Sequence, residues 1–325
     1  MDDRRDFLKK GAMAAAVLSM PSTNGCADMR PIRGKVPMKT ARTGRALVLW
    51  YSQTGYTERY GRLLAHGLEK LGMTVTASEI RRFDVHGMGD FDLVVVGSPV
   101  YYYDTPDYVK AWIESLPGLK GTPVAAYVSF GGPEGNQHNA VCSILQLLVE
   151  KEGVPIAQTA FMNMSAFPLS WSEEKVHEKT WMSRQLPDEE TYDRVREYAL
   201  HLAIQVKEGN DAEFSRRLTI REVSTWIGPI WWTKKLVRNH SILEAKCIEC
   251  GTCVEKCPAH AIDLSAFHVD RDVCVLCFGC INNCPAQAVH MEYSGEKVIG
   301  YRDFMRMKNL VVKEPEELNQ DAQDL

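Results

Sequence analysis

The sequence predicts an α/β protein in two parts, a doubly wound parallel sheet of five strands followed by a small α+β domain. Short apolar runs alternate with helical patterns between residues 45 and 208, which is typical of repeated strand–helix–strand units. Eight of the ten cysteines then lie between Cys247 and Cys284. The chain of 325 residues is long enough to bury two hydrophobic cores.

The first part keeps this alternation along its whole length. Strands are predicted at 47–50, 75–80, 92–100, 122–132 and 154–162. The first helix is predicted from Leu63, Leu64 and Leu68, which recur on one helical face, and further helices are predicted near 106–116, 138–150 and 188–207. Because helices separate the strands, we expect a parallel sheet with helices on both faces.

The loop after the first strand carries hydroxyl groups at the start of a helix. It consists of Ser52, Gln53, Thr54, Gly55, Tyr56 and Thr57. It lacks the GK[ST] ending of a P-loop and the GxGxxG pattern, so ATP and dinucleotides are poor candidates. Backbone N–H groups and hydroxyls at a helix N-terminus bind a phosphate without a positive side chain. The simpler alternative is that Thr54 or Thr57 caps the helix.

Two further loops are expected to meet this one. They consist of Ser98, Pro99, Val100 and Tyr101 after the third strand, and of Ser129, Phe130, Gly131 and Gly132 after the fourth. The carboxyl ends of these strands converge where the strand order of such a sheet reverses. An aromatic side chain there suits a flavin ring, and Tyr101 is favoured over Tyr102, although tyrosine triplets also pack at rims. Together the three loops resemble the FMN site of flavodoxins, which implies FMN as the ligand.

The cysteines form two copies of one motif. CIECGTCVEKCP (247–258) and CVLCFGCINNCP (274–285) both read C-x2-C-x2-C-x3-C-P, at an offset of 27 residues. Disulfides are the usual expectation for an exported cysteine-rich chain, and zinc ribbons use two cysteine pairs without the third cysteine and the proline. Both runs resemble those of bacterial two-cluster ferredoxins. This resemblance implies two 4Fe–4S clusters, one held by Cys247, Cys250, Cys253 and Cys284, the other by Cys257, Cys274, Cys277 and Cys280.

The N-terminus resembles a twin-arginine export signal. Arg4-Arg5-Asp6-Phe7-Leu8-Lys9 precedes an apolar run that ends at Met20 and is too short to span a bilayer. The resemblance implies export of a folded protein to the periplasm or the outer face of the bacterial cytoplasmic membrane. Export after folding suits clusters that are inserted in the cytoplasm. Cys26 is either acylated, which would attach the protein to the membrane, or followed by ordinary cleavage after Ala27.

The predicted organisation is a signal (1–27), a linker (28–44), a flavodoxin-like domain (45–208), a connector (209–241), a ferredoxin domain (242–293) and a C-terminal tail (294–325). We interpret Trp226, Trp231 and Trp232 of the connector as packing between the domains, with a membrane-facing patch as the alternative. The segment 163–187 exceeds a minimal flavodoxin and is expected to cover the flavin or to carry a partner site. The tail after Lys313 is acidic and expected to be loose.

An electron-transfer protein is the function that these features favour. The net charge of −4 argues against nucleic-acid binding, and no residues resemble a catalytic triad. Redox proteins are the expected partners. One alternative is a flavin-dependent reductase of a small substrate, fed with electrons through the clusters. Another is a redox sensor, although two clusters and a flavin exceed what sensing needs.

Overall fold

The computed structural model describes residues 30–40, 44–131, 136–220, 223 and 229–321 of the chain. The twin-arginine motif, Cys26, Gly132 and Trp226 lie outside these ranges. What the sequence predicts for them therefore stays a prediction.

The first domain is built on a five-stranded sheet. Its strands are β1 (Arg45–Trp50), β2 (Thr74–Glu79), β3 (Leu93–Pro99), β4 (Pro123–Phe130) and β5 (Val154–Met162). Its helices are α1 (Tyr56–Lys70), α2 (Asp107–Glu114), α3 (Gln137–Glu150), α4 (Glu178–Met182) and α5 (Glu189–Glu208). All strand pairs are parallel, and the order β2-β1-β3-β4-β5 is that of flavodoxin-like sheets. The predicted fold class is confirmed.

Two apolar cores cover the two faces of this sheet. Because side chains alternate along a strand, Leu47 and Leu49 of β1 enter the core beneath α2 and α3, whereas Val48 enters the core beneath α1 and α5. Cys142 of α3 is completely buried in the first of these cores, as expected of a small core residue. Burial on both faces fixes the strands, so their carboxyl ends form a rigid edge from which the loops project.

The second domain follows the connector. Its strands are β6 (Val237–Ile242), β7 (Ile262–Asp263), β8 (His268–Val269), β9 (Val289–Tyr293) and β10 (Glu296–Lys297), and its helices are α6 (Pro229–Leu236), α7 (Thr252–Glu255) and α8 (Gly279–Asn283). The antiparallel sheet β10-β9-β6 and the hairpin β7-β8 give it α+β character. Strand β6 begins inside the predicted connector because Val237 pairs with Tyr293 of β9. His260 and His268 are exposed.

Trp231 and Trp232 of the connector do not pack between the domains. Trp231 and Trp232 of α6 are 51% and 46% exposed, and their rings contact each other at 4.7 Å. The packing interpretation is wrong for these two residues, because α6 contributes Thr233 to a cavity wall while both indoles stay in contact with solvent. Within the described ranges, no helix is both long enough and apolar enough to cross a membrane.

The acidic tail folds back onto the first domain. After α9 (Tyr301–Met307), helix α10 (Glu316–Asp321) buries Leu318, which is 5% exposed. The Nε and Nη2 atoms of Arg196 donate hydrogen bonds to Glu317 at 2.8 and 2.9 Å. The expectation of a loose tail is therefore wrong up to this helix, because paired charges and one apolar anchor hold it.

Loss of the Arg196–Glu317 pair is expected to release this helix. The hydrogen bonds from Arg196 lower the pKa of Glu317 to about 2. A carboxyl group with a lowered pKa stabilises the folded state above its ordinary pKa of 4.5, and this contribution disappears as the pH falls towards 2. At neutral pH we expect Glu317→Gln to accelerate hydrogen exchange across 314–321. The exposed neighbour Glu316→Gln is the control, and equal exchange in both variants would contradict the prediction.

Candidate functional site

The first loop joins the carboxyl end of β1 to helix α1. Gly55 has a left-handed φ of 91°, which lets the chain turn sharply into the helix. The N–H of Gly55 donates to Ser52 Oγ at 3.2 Å, and no side chain caps the N-terminus of the helix. The capping alternative for Thr54 and Thr57 is therefore wrong. The first-turn N–H groups and the positive end of the helix dipole are available to an anion.

The loops after β1 and β4 are joined by side chains. Thr57 Oγ1 lies 2.7 Å from Ser129 Oγ, and the Tyr127 hydroxyl donates to the Thr57 carbonyl at 2.9 Å. After β3, Tyr101 forms a bridge with Asp104 that turns the chain back towards the sheet. The three predicted loops therefore meet at one edge of the sheet, as the strand order requires.

A cavity of about 470 Å³ lies where these loops meet. The predicted residues that line it are Ser52, Gln53, Thr54, Tyr56, Thr57, Pro99, Val100, Tyr101, Ser129, Phe130 and Gly131. Gly55 and Ser98 are outside this lining, and Ser98 Oγ instead donates to the Pro99 carbonyl at 2.9 Å. Most of the predicted flavin residues thus share one cavity, although ligand binding by them stays a prediction.

The cavity has further lining residues that the sequence analysis did not assign to the flavin site, although it weighed Tyr102 against Tyr101 and predicted Cys277 as a cluster ligand. They are Tyr102, Tyr103, Asn136, Gln137, Asn163, Ser165, Ala166, Phe167, Leu169, Ser170, His177, Lys179, Thr180, Thr233, Leu276, Cys277, Phe278 and Tyr293. The residues between 163 and 180 had a signal in the sequence, because that segment is longer than a minimal flavodoxin needs. Those of the second domain had none, since their contact with the loops is not local.

The segment 163–187 covers the cavity and is held there by the C-terminal part of the chain. Trp171 Nε1 donates to the Ile299 carbonyl at 2.9 Å, and its ring stacks on Phe304 at 4.3 Å. Asn282 Nδ2 donates to the Ala166 carbonyl at 3.1 Å. This cover supplies Phe167, whose ring makes edge contacts with Tyr102 and Phe278.

The cavity residues fit FMN. The volume of the cavity falls within the range of about 300–1,000 Å³ that small-molecule sites occupy. The uncapped helix N-terminus suits a phosphate, and the aromatic side chains suit a flavin ring. Among the described residues, the buried oxygens Gln53 Oε1 and Asn163 Oδ1 have no hydrogen-bond partner, although both side chains line the cavity. A bound ligand with polar edges would satisfy such atoms.

The eight cysteines fall into two groups in space. The first set comprises Cys247, Cys250, Cys253 and Cys284, which line one small depression, and the second set comprises Cys257, Cys274, Cys277 and Cys280. Burial raises the pKa of Cys253, and the charges of Cys284 and Cys247 raise it further. Burial, together with the charges of Cys257 and Cys274, raises the pKa of Cys277 to about 12. The fourth cysteine of each run therefore lies beside the first three of the other run.

Backbone N–H groups donate to the sulfurs in a pattern that repeats with the sequence. Glu249 N and Leu276 N donate to the first sulfur of their own runs, each at 3.4 Å. Ala261 N and Ala288 N donate to the fourth sulfur of their runs, each at 3.2 Å. Such bonds favour the thiolate form that binds iron. The two runs thus share one local geometry.

The two cysteine sets differ in their surroundings. Cys250 of the first set is exposed, whereas Cys277 of the second set lines the flavin-type cavity. Beside the second set, His240 Nε2 lies 3.4 Å from Cys280 Sγ. In the described part of the chain, no group of three or more His, Cys, Asp or Glu side chains has an arrangement that could hold a single metal ion. A cubane cluster has a different requirement, because each thiolate binds a different iron atom at a corner.

Comparison with known proteins gives one family match. Residues 240–263 match the model of the 4Fe-4S binding domain. This range includes the first cysteine run and ends before the second. No curated protein matches the chain.

Solved structures of flavodoxins and of one oxidoreductase are similar to about half of this chain. A flavodoxin from the domain Archaea is 16% identical over 50% of this chain and 99% of its own, with a TM-score of 0.37. Flavodoxin 2 of Bacillus cereus is 18% identical over 50% of this chain and 99% of its own, with a TM-score of 0.39. Rubredoxin oxygen:oxidoreductase of Desulfovibrio gigas is 19% identical over 51% of this chain and 37% of its own, with a TM-score of 0.37. The assignment of the fold rests on the strand order described above.

Proposed function

We propose that this chain is an exported electron-transfer protein that passes electrons between two 4Fe–4S clusters and FMN. The observation that carries this proposal is the position of Cys277, which lines the same cavity as the three flavin-type loops. The second cysteine set and the proposed flavin site therefore share a wall. The match of residues 240–263 to a 4Fe-4S binding domain supports iron–sulfur binding.

The residues have separable roles in this proposal. The first loop and the N-terminus of α1 bind the FMN phosphate, while the tyrosines after β3 and Phe167 exclude water from the ring. Each cysteine set binds one cluster through thiolates. FMN exchanges two electrons and a cluster exchanges one, so the bound groups connect two-electron with one-electron chemistry.

The first cysteine set is suited to contact with a partner. Cys250 is exposed, and its neighbour Ile248 is 65% exposed. Val254 on the adjoining helix is 41% exposed. We therefore assign this face to the docking of redox proteins, with the second set lying between it and the flavin site.

Anaerobic purification tests the proposal directly. The full chain is expected to contain eight irons, eight sulfides and one FMN per molecule, by analogy with a two-cluster ferredoxin joined to a flavodoxin. Chemical analysis of iron, sulfide and flavin, together with absorption spectra, checks this. A protein with zinc or disulfides at these cysteines, or one that binds no flavin, would contradict it.

A reductase is the second candidate, and the exposed side chains His177 and Lys179 favour it. Both line the cavity from the covering segment, where they could contact a small substrate. Rapid mixing of the pre-reduced protein separates the two functions. A carrier discharges quickly into an oxidised redox protein and gives small organic acceptors little gain. Fast, saturable turnover of one small substrate would favour the reductase.

Export by the twin-arginine route is part of the proposal. Replacing Arg4 and Arg5 together by lysine is expected to leave cofactor-loaded protein in the cytoplasm, because the pair resembles the signal that this route reads. Cell fractionation of the wild type and the double variant measures the effect. Cys26→Ser is the companion variant, since it tests acylation without changing the signal. Equal export of the double variant and the wild type would exclude this route.

A further inference from the structure

The two cysteine runs of the second domain differ between their cysteines, and one of these differences bears on a cluster sulfur. The offset that relates Cys250 to Cys277 also relates Thr252 to Gly279. In the first run, Thr252 Oγ1 lies 3.3 Å from Cys250 Sγ, so a side chain of the same run contacts the second cysteine. Gly279 offers no such group in the second run.

A residue of the first domain takes the place of that hydroxyl. Gln53 Nε2 donates to Cys277 Sγ at 3.3 Å, although the two residues are 224 positions apart. The same nitrogen contacts the Lys256 carbonyl at 3.1 Å and the Tyr51 hydroxyl at 2.6 Å. Gln53 is 4% exposed, so it is fixed between the two domains.

Glycine at 279 is what admits this side chain. A Cβ atom at Gly279 would lie 2.0 Å from Gln53 Oε1, a distance that excludes any other residue unless Gln53 moves. The missing side chain in the second run and the glutamine of the first loop therefore form one arrangement. Gln53 also lines the cavity, and its Oε1 has no partner among the described residues.

We propose that Gln53 sets the potential of the cluster on the second cysteine set according to whether FMN occupies the cavity. This inference rests on the proposed function. Hydrogen bonds to cluster sulfurs and thiolates are one determinant of the reduction potential. Gln53 lines the cavity and its Oε1 has no partner among the described residues, so pairing of Oε1 with a bound FMN would hold the Nε2 amide on Cys277 and raise the potential of that cluster. By linkage, reduction of the cluster strengthens FMN binding by the same factor.

The test is an anaerobic redox titration of the full, cofactor-loaded chain, followed by electron paramagnetic resonance. Cys284→Ser and Cys257→Ser assign the signals of the two clusters. Gln53→Leu is expected to shift the second-set cluster to a more negative potential. A tenfold change in the one-electron equilibrium corresponds to a shift of about 59 mV. The first-set cluster should keep its potential. Thr252→Val is the matched control, since it should shift the first-set cluster alone.

A second variant tests whether the first domain sets the potential of this cluster. Gln53→Ala combined with Gly279→Thr rebuilds the arrangement of the first run and removes the clash. We expect a potential near that of the wild type, but without the shift that FMN removal causes in the wild type. This variant keeps the test decisive if Gln53→Leu fails to load its clusters.

The outcomes separate the inference from the proposed function. Equal potentials in Gln53→Leu and the wild type, or an equal shift of both clusters, would overturn the inference alone if FMN and both clusters are present. Retention of the FMN-dependent shift in the double variant would also overturn it. A wild-type chain that binds no FMN would overturn the proposed function and this coupling together.

Discussion

Cys284→Ser is expected to destroy the cluster of the first cysteine set and to leave the other cluster in place. In sequence, Cys284 belongs to the second run, yet it lines the depression formed by Cys247, Cys250 and Cys253. The variant removes one of the four thiolates of this site, so the remaining three are expected to lose the cluster. Iron and sulfide contents should fall by about half, since one of two clusters is lost.

The matched control is Cys257→Ser, which removes the fourth cysteine of the first run. It should destroy the cluster of the second set, because the charge of Cys257 acts on Cys274, Cys277 and Cys280. Electron paramagnetic resonance of the two variants should therefore show complementary losses. Loss of the cluster on Cys274, Cys277 and Cys280 in Cys284→Ser would mean that each run binds its own cluster.

Thr54→Ala combined with Thr57→Ala is expected to remove FMN while both clusters remain. Thr54 lines the cavity at the uncapped end of α1, and Thr57 Oγ1 also bonds Ser129 Oγ. Hydrogen bonds to a charged group contribute about 1.5–3 kcal/mol each, so the Kd for FMN should rise about tenfold to a hundredfold for each hydroxyl. Electrons placed on the clusters should then no longer reach a flavin within the molecule.

Flavin fluorescence after gel filtration, iron analysis and rapid-mixing spectroscopy measure these effects. Thr76→Ala on the exposed strand β2 is the control for the loss of a threonine hydroxyl elsewhere in the domain. If the double variant binds FMN with unchanged affinity, the phosphate must bind in another part of the cavity. Loss of the clusters together with the flavin would show that the two sites fold as one unit.

The sequence by itself determined the features that depend on local spacing. The strand and helix pattern predicted the sheet, because burial on two faces imposes continuous apolar runs and amphipathic helices. The loops after β1, β3 and β4 followed from the strand order. The grouping of the cysteines followed from the resemblance of the two runs to ferredoxins, and the structure places Cys284 beside the first set accordingly.

Only the tertiary structure decided how the two domains meet. Gln53 and Cys277 lie 224 residues apart, and no spacing within either motif predicts that they meet. The cover of the cavity depends on Trp171 and Phe304, and the attachment of the tail on Arg196 and Glu317. These contacts join segments that are distant in the chain, so their energies depend on how preformed surfaces fit. The residues of each surface can be read from the sequence, but which surfaces contact each other depends on how the two domains pack.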